Sequence, residues 1–282
     1  MTHADPLGSV AAPATPAQDS HAQAAAASSI EVAGAGRTLT VKIASGYDDF
    51  ELAFLLLAEK YQARGYEEAG AKLFRFTPFH ALPGTVTVVA RDGDRVVATL
   101  SIVPDTARLG LPMESIYPDE VAGLRAEGRR LAEVTSLADD GLSPREFLAA
   151  FTAMIRLVVQ HHLREGGDSW VITVNPRHAA FYRKTLGFVP AGPRRAYPTV
   201  GDAPAEAFLV DAALMAAHAP AMHARVFGDP VPDAALAPPP RPLDHAEFFG
   251  AHSTAADLAT IRGVAEAAGR RDGHPRWMAL AS

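Results

Sequence analysis

The stretch from Val171 to Phe188 constrains the fold of this chain more than any other part. It reads VITVNPRHAAFYRKTLGF: an apolar run, a short polar break, a segment that carries Phe181 and Tyr182, and a closing Leu-Gly-Phe. The short apolar run predicts a buried strand, and the segment after the break has helical spacing. The stretch therefore predicts a strand–helix–strand unit, which is typical of layered α/β domains.

The segments around this unit extend the same alternation of strands and helices. The clearest helix begins at Ser143-Pro144-Arg145-Glu146, a capping box with proline at the first helical position, and ends at Gly166-Gly167. The other predicted elements are the strand TLTVKIA, a helix at 47–64, a hairpin around Asp92-Gly93, a short helix at 118–130, the strand LAEVTSLA and a last strand AEAFLVDAALM. This order predicts an α/β fold with a central mixed, twisted sheet and helices on both faces.

The two ends of the chain differ in composition from the middle. Residues 1–36 are mostly Ala, Pro, Ser, His and Gln, and such a segment cannot bury enough apolar surface to offset its ordering entropy. We therefore expect a disordered segment at 1–36, a folded domain at 37–216, and a Pro-rich linker with a helical extension at 217–282. The helical extension, Ala255 to Arg270, could pack back on the domain, mediate oligomerisation or stay mobile.

Composition and missing motifs narrow the range of functions. The net charge of −6 argues against nucleic-acid binding, which needs a basic face for phosphates. The chain has no cysteine, so disulfides, thiolate metal sites and a cysteine nucleophile are excluded, and neither HExxH nor GxSxG occurs. No apolar run reaches the ~20 residues of a membrane helix, and the first residues lack the pattern of a secretory signal. We expect a cytoplasmic protein without a metal site.

The sequence from Val171 to Phe188 resembles the C-terminal half of the GNAT acyltransferase fold. The resemblance rests on Asn175 after the strand, Tyr182 one turn into the helix, and Leu-Gly-Phe at its exit. In that family the matching tyrosine lies beside the thioester sulfur, so the resemblance implies acyl transfer to an amine with Tyr182 protonating the departing thiol. The alternative is that Phe181 and Tyr182 are core aromatics and that Asn175 only caps a helix.

The strand LAEVTSLA supplies a candidate base. GNAT enzymes often carry a carboxylate on the central strand, and an α-amine with a pKa near 8 must lose a proton before it can attack a thioester. Glu133 is the one acid inside this otherwise apolar run. Thr135 and Ser136 could provide hydrogen bonds near the thioester. Alternatively, Glu133 lies on a solvated face or pairs with a nearby arginine, and the two hydroxyls fill polar strand positions.

One expected GNAT motif is absent. GNAT acetyltransferases hold the diphosphate of coenzyme A with an Arg-Gly-x-Gly turn at a helix N-terminus, but the matching position here reads DDGLSPREF. A donor on a carrier protein does not need this turn, because it presents only a phosphopantetheine arm. The departure favours acyl carrier protein over coenzyme A as the source of the acyl group.

Three segments in order resemble the long-chain N-acyl amino acid synthases, relatives of the autoinducer synthases with a GNAT-like fold. They are TVVARDGDRVVATLSIV, GLPMESIYPDEVAGLRAEGRRLAEVTSLA and VNPRHAAFYRKTLGF, within roughly residues 38–211. The resemblance implies transfer of a long acyl chain from acyl carrier protein to the amine of an amino acid. It implies a phosphopantetheine-linked donor, possibly including acyl-coenzyme A, and no permanently bound cofactor.

The resemblance also implies which residues of this chain bind the substrates. Arg125 lies in the Leu-Arg that precedes the acidic strand and could hold the acceptor carboxylate, as could Arg129; an exposed helix arginine is the alternative. Autoinducer synthases commonly have an arginine three residues after the glutamate, where this chain has Ser136, so a homoserine lactone product is not expected. Asn175, His178 and Phe181 are the substrate-binding candidates of the opening stretch.

A cluster of apolar residues offers a wall for an acyl-chain groove. Its members, which lie in a non-periodic segment before the hairpin, are Leu73, Phe74, Phe76 and Phe79. Each buried methylene contributes about 0.8 kcal/mol, so a long chain gains far more from such a groove than an acetyl group does. The alternative is that these residues are core residues of an irregular connection.

Two other functions remain open from the sequence. One is an acetyl-coenzyme A-dependent N-acetyltransferase with a degenerate phosphate grip, which tight coenzyme A binding would indicate. The other is a non-catalytic module that binds an acyl ligand or acyl carrier protein, which unchanged turnover in a Glu133→Gln variant would favour.

Overall fold

The structure, a computed structural model, describes residues 28–34, 36–68, 73–82, 84–237, 243–260 and 262–263. Its strands are β1 Ser29–Ala33, β2 Thr38–Ile43, β3 Val86–Asp92, β4 Arg95–Pro104, β5 Leu131–Asp139, β6 Ser169–Val174, β7 Val189–Pro190, β8 Arg195–Tyr197 and β9 Ala203–Asp211. Its helices are α1 Tyr47–Ala63, α2 Pro118–Ala126, α3 Pro144–Arg164, α4 Pro176–Leu186, α5 Ala212–His218, α6 Pro220–Phe227, α7 Asp233–Leu236 and α8 Leu243–His252.

The strands form a mixed sheet, as the sequence predicts. Their order is β1-β2-β3-β4-β5-β6-β9-β7, with β8 paired to β9. Strands β5 and β6 are parallel, and the other pairs are antiparallel. A parallel pair needs a crossover, and the long helix α3 supplies it.

Helices cover both faces of the sheet, which confirms the predicted α/β architecture. Helix α3 and the short helices α5 to α7 contribute buried side chains to a large core on one face. Helix α1 and helix α8 pack on the other face, where Phe54 of α1 lies 5.6 Å from Phe248 of α8, ring centre to ring centre. Among the described residues, no helix is both long enough and apolar enough to cross a bilayer.

The start of α3 confirms the predicted capping box. The backbone N–H of Glu146 donates to the Ser143 hydroxyl at 3.4 Å, and the Ser143 N–H donates to the Glu146 carboxylate at 2.9 Å. Arg37 adds an ion pair to the same carboxylate at 2.9 Å. Hydrogen bonds from Arg37 and Ser143 therefore lower the pKa of Glu146 to about 2.

The structure corrects the predicted domain boundary at residue 36. Residues Ser29–Ala33 form an edge strand paired with β2, and Ile30 and Val32 pack against the core. Alternation over five residues is a weak strand signal, and the polar composition of the preceding residues hides it. Residues 1–27, the rest of the predicted disordered segment, lie outside the described residues.

The C-terminal part also differs from its prediction. Strand β9 ends at Asp211, so the last residues of AEAFLVDAALM begin α5 instead of continuing the strand. The expected linker contains α6 and α7, whose Val226 and Leu236 are buried in the core. Within the predicted helix Ala255 to Arg270, residues 255–260 are helical, and those from 264 onward lie outside the described residues.

Candidate active site

The site begins where two parallel strands separate. Strands β5 and β6 pair only from Leu131 opposite Ser169 to Glu133 opposite Val171, although both continue for several residues. Beyond Glu133 the strands diverge, and a cavity of about 840 Å³ opens between them. Splayed parallel strands admit a ligand between them at their carboxyl ends, so the register itself creates the site.

The walls of the cavity are largely apolar and aromatic. Phe76 and Phe79 line the cavity on the α1 side. The start of α3 and the middle of α4 line the opposite side. The apolar residues of this second wall are Leu142, Pro144, Phe147, Leu148, Phe151 and Phe181. Pockets of this volume and lining bind ligands with substantial apolar surface.

Glu133 lies at the point where the strands part. Its side chain is 2% exposed, and its Oε2 accepts a hydrogen bond of 2.7 Å from the backbone N–H of Met113. Burial raises the pKa of Glu133 to about 8; the Met113 N–H opposes this shift, and the neighbouring Glu114 adds to it. Around pH 8 a substantial fraction of this carboxyl group is ionised, and the ionised form can accept a proton from an amine.

Ser136 sits in a β-bulge on the same strand. Because Thr135 pairs with Ser101 and Ala138 with Thr99, Ser136 and its neighbour Leu137 lie opposite a single residue of β4. Ser136 has a φ of 58°, in the left-handed region that glycine favours. The bulge turns the Ser136 hydroxyl to within 2.9 Å of His80 Nε2.

Tyr182 faces the cavity from α4. Asn175 caps this helix by accepting a hydrogen bond from the N–H of Arg177 at 3.2 Å, and Gly187 ends it with a φ of 73°. The Tyr182 ring packs edge-on against Phe188 at 5.9 Å. Burial raises the pKa of the phenol, which keeps it protonated and therefore a hydrogen-bond donor.

Two further hydroxyls belong to the lining. Thr173 Oγ1, on β6, is buried without a hydrogen-bond partner among the described residues. A buried hydroxyl without a partner is costly and is therefore a natural contact for a ligand. Tyr197 also lines the cavity; burial and the charge of Glu133 raise the pKa of Tyr197 to about 12.

The lining carries positive charge as well. Arg64 and Arg177 are exposed and line the cavity, and Arg177 donates to the hydroxyl of Tyr66 at 3.1 Å. His178 lies beside them, and burial and the charges of the two arginines lower the pKa of His178. Among the described residues, neither Arg64 nor Arg177 has a carboxylate partner, whereas Arg75 is paired with a glutamate. Unpaired arginines are suited to bind a phosphate or a carboxylate.

The helix start that holds diphosphate in GNAT acetyltransferases is occupied here by the chain itself. At the N-terminus of α3, Glu146 accepts hydrogen bonds from Ser143 and Arg37. Leu142 and Pro144 beside it contribute apolar surface to the cavity. A carboxylate at this position repels a phosphate, so the structure agrees with the missing Arg-Gly-x-Gly motif.

Most of the residues predicted from sequence line the cavity together. They are Glu133, Thr135, Ser136, Asn175, His178, Phe181, Tyr182, Phe76 and Phe79. The arrangement brings a buried carboxyl group, a phenol, two strand hydroxyls and apolar walls around one space. Among the described residues, no group of three or more His, Asp or Glu side chains is placed to hold a metal ion.

Three predicted site residues lie elsewhere. Arg125 is outside the lining, and its guanidinium uses four of its five N–H donors on Asp105 and Glu114, so it cannot form a bidentate pair with an acceptor carboxylate. The side chain of Leu73 is 67% exposed to solvent. Phe74 is buried but packs on Phe248 at 5.4 Å, in the core between α1 and α8.

Sequence reasoning missed several lining residues. His80 stands next to the predicted Phe79, but no spacing rule connects it with Ser136, 56 positions away. Phe147 and Phe151 follow the helical spacing of α3, which does not distinguish a core residue from a cavity wall; they stack at 5.5 Å and line the cavity. Thr173 sits inside the apolar run VITV, where a lone threonine could have signalled a polar contact.

Comparison with known proteins places the chain among acyltransferases. The family model of the N-acyl amino acid synthase FeeM matches residues 52–211, more than half of the chain. The solved structure of FeeM, an N-acyl amino acid synthase from uncultured soil microbes, has 31% sequence identity and a TM-score of 0.55, and the match covers 64% of this chain and 95% of FeeM.

Two autoinducer-type structures also match, at lower similarity. TofI, solved in a ternary complex with an inhibitor and MTA, has 13% identity and a TM-score of 0.49 over 65% of this chain and 98% of TofI. The AHL synthase LasI has 16% identity and a TM-score of 0.48 over 67% of this chain and 94% of LasI. No curated protein sequence is significantly similar to the chain.

Proposed function

Because the chain belongs to the family of the N-acyl amino acid synthase FeeM and is an N-acyltransferase, we propose that it transfers a long acyl chain from acyl carrier protein to the amine of an amino acid. The observation that carries this proposal is the buried carboxylate of Glu133, which lies at the opening of a large apolar cleft between parallel strands. A carboxyl group beside a cleft that is large enough for a thioester supports the assignment of Glu133 as proton acceptor.

The reaction needs one proton acceptor and one proton donor. The neutral amine attacks the thioester carbonyl carbon, a C–N bond forms, and Glu133 takes the proton that the nitrogen loses. The C–S bond then breaks, and the sulfur leaves as a thiol after Tyr182 donates a proton, which Glu133 later replaces through solvent. One amide and one thiol are formed, and neither residue is consumed.

The cleft suits a long acyl chain better than an acetyl group. Phe76 and Phe79 line one side, and Phe147, Phe151 and Phe181 line the other. At about 0.8 kcal/mol per buried methylene, ten methylenes in contact with these walls would contribute about 8 kcal/mol before the entropy cost of ordering the chain. An acetyl donor would leave most of the 840 Å³ unfilled.

The charges around the cleft support a carrier-protein donor. The carboxylate of Glu146 occupies the helix start where coenzyme A would place its diphosphate, whereas Arg64 and Arg177 remain free of carboxylate partners among the described residues. The phosphopantetheine arm of a carrier protein carries a single phosphate, which these two arginines can bind. The protein part of the donor then lies outside the cleft.

The proposal is tested by supplying matched donors to the purified protein. Acyl carrier protein and coenzyme A would each be loaded with chains of 2, 8, 12 and 16 carbons, roughly spanning the range in which methylene burial separates acetyl from long-chain binding. A mixture of the standard amino acids would be the acceptor, and mass spectrometry would identify the amides. We expect products from long-chain carrier-protein donors and none from acetyl donors.

Two outcomes would contradict the proposal. Equal or better turnover of the coenzyme A thioesters would refute the carrier-protein donor, and preferential acetyl transfer would refute the long-chain assignment. A Glu133→Gln variant is the control, because it preserves the shape of the side chain and its hydrogen bond from Met113 while removing the proton acceptor. Unchanged turnover in this variant would refute Glu133 as the base.

A further inference from the structure

The Ser136–His80 contact has properties that a packing role does not require. Ser136 adopts a left-handed backbone conformation, which costs a residue other than glycine on the order of 1 kcal/mol. Glycine would fit this conformation without strain, yet the chain places a hydroxyl here, in the wall of the cleft and three residues after Glu133. Strained residues of this kind cluster at functional sites.

The hydrogen bonds of His80 fix which ring nitrogen carries the proton. The backbone N–H of Thr77 donates to Nδ1 at 3.0 Å, so Nδ1 is an acceptor and the proton of the neutral ring is on Nε2. Nε2 lies 2.9 Å from Ser136 Oγ and therefore donates to it. His80 is buried beside the ring of Phe54, and burial lowers the pKa of His80 to about 4, so the ring stays neutral at pH 7.

The direction of the hydrogen bond from His80 to Ser136 determines what the Ser136 hydroxyl can do. Its oxygen accepts from His80, and its own hydrogen has no acceptor among the described residues. Because Nε2 is protonated, His80 cannot take a proton from Ser136, and the pair cannot activate a serine nucleophile. The remaining role for the hydroxyl is that of a hydrogen-bond donor into the cleft, strengthened by the bond that it accepts.

We propose that Ser136 donates a hydrogen bond to the thioester carbonyl oxygen and stabilises the negative charge that forms there, with His80 as the residue that positions it. This inference rests on the proposed acyl transfer and adds the group that binds the oxyanion. Glu133, which takes the proton, and Ser136, which holds the oxygen, lie on the same strand on either side of the start of the bulge. Donors that are fixed before the reaction contribute most to acyl transfer.

Ser136→Gly tests the role of the hydroxyl without endangering the fold. Glycine relieves the strained φ, which offsets the cost of leaving the buried Nε2–H of His80 without its acceptor, so the stability of this variant should stay within about 2 kcal/mol of that of the natural chain. Loss of one oxyanion donor should lower kcat by about 10²-fold with little change in KM. Asp202→Gly is the matched control, because Asp202 has a similar φ of 57° but lies outside the cavity lining, and its kcat should be unchanged.

The role of His80 is tested by a double-mutant comparison. His80→Phe keeps a planar ring but removes the Nε2–H donor; it should lower kcat in the natural chain and have little further effect in the Ser136→Gly background, because His80 acts through the hydroxyl. A merely structural role would give the same loss in both backgrounds and would overturn the positioning role. An acyl ester on Ser136, seen in the intact mass during turnover, would overturn the donor role.

The same measurements separate this inference from the proposed function. If the natural chain turns over acyl thioesters and Ser136→Gly does so equally well, the oxyanion role is refuted and the acyl transfer stands. If the natural chain forms no amide from any of the thioesters, both are refuted. A drop in kcat at constant stability supports both.

Discussion

The Glu133→Gln variant should be inactive, and its stability relative to that of the natural protein should increase as the pH rises. The carboxyl is 2% exposed, and burial raises its pKa to about 8 from an ordinary value of 4.5. Between these two pH values the folded protein holds a proton that the unfolded chain has released. The free energy of unfolding therefore falls as pH rises through this window, and a glutamine does not take part in that loss.

The size of the effect follows from the width of the window. The two pKa values differ by 8 − 4.5, or 3.5 units. At 1.36 kcal/mol per unit, the ionised carboxylate costs the folded state on the order of 5 kcal/mol above pH 8, an upper limit because water in the cleft would reduce it. Glutamine keeps an oxygen that can accept the 2.7 Å hydrogen bond from Met113. The two proteins should therefore be of similar stability near pH 5.

The assay is urea denaturation of both proteins at pH 5, 6, 7, 8 and 9 in buffers of constant ionic strength. Every other titrating group is shared, so only the difference in the free energy of unfolding is interpreted. That difference should be small at pH 5, favour glutamine increasingly up to pH 8, and level off beyond it. A few kcal/mol at the plateau would agree with the structure.

Glu114→Gln is the control with the opposite sign. Burial alone would raise the pKa of Glu114, but hydrogen bonds from Arg125 and the Leu111 N–H outweigh it and lower the pKa. This carboxylate therefore stabilises the folded state once it is ionised, and its replacement should destabilise the protein at pH 7. If the Glu133→Gln difference does not change between pH 5 and 9, the carboxyl is not desolvated and its assignment as a tuned base is wrong.

Three further variants probe the cleft. Tyr182→Phe should lower kcat by about 10²-fold with unchanged folding, and equal rates of thiol release would exclude the phenol as proton donor. Thr173→Val should raise the free energy of unfolding by about 1 kcal/mol, because it removes an unpaired buried hydroxyl. It should also raise KM for the acyl donor, and an unaltered KM would exclude a contact between the Thr173 hydroxyl and the donor. Arg177→Glu should raise KM for acyl carrier protein about tenfold and weaken the salt dependence of that KM. Arg194→Glu, outside the cavity lining, is the control and should do neither. Equal effects of the two variants would indicate only a change in net charge.

The sequence predicted the parts of the site that depend on local pattern. Glu133 was recognisable because a single acid interrupts an apolar strand, and such a residue must be paired or functional when it is buried. The helix with Tyr182 was recognisable from its cap and its closing glycine. Each of these signals lies within one short segment of the sequence and does not depend on how distant segments meet.

The parts that it could not predict depend on distant segments. His80 acquires its role only because a short 3-10 turn at Pro78–Ala81 packs against a bulge on β5, and a bulge leaves no periodic trace. Arg125 looked available because its partners are distant in sequence: Asp105, 20 positions earlier, lies in a loop, and Glu114, 11 positions earlier, lies in a short 3-10 helix. Leu73 and Phe76 looked alike as apolar residues, but one points to solvent and the other into the cleft.

The short parallel register of β5 and β6 has a mechanical consequence. Among the described residues, three residue pairs of the parallel ladder join strands β1–β5 to strands β6–β9, so the two parts of the sheet are connected by a short interface. The crossover helix α3 packs mainly on β1 to β4, and its His162 contacts Trp170 of β6, so it also links the two parts of the sheet. An acyl donor bound in the gap would contact both parts of the sheet, and because it binds only the folded state it would raise the free energy of unfolding by RT ln(1 + L/Kd), where L is the concentration of free donor.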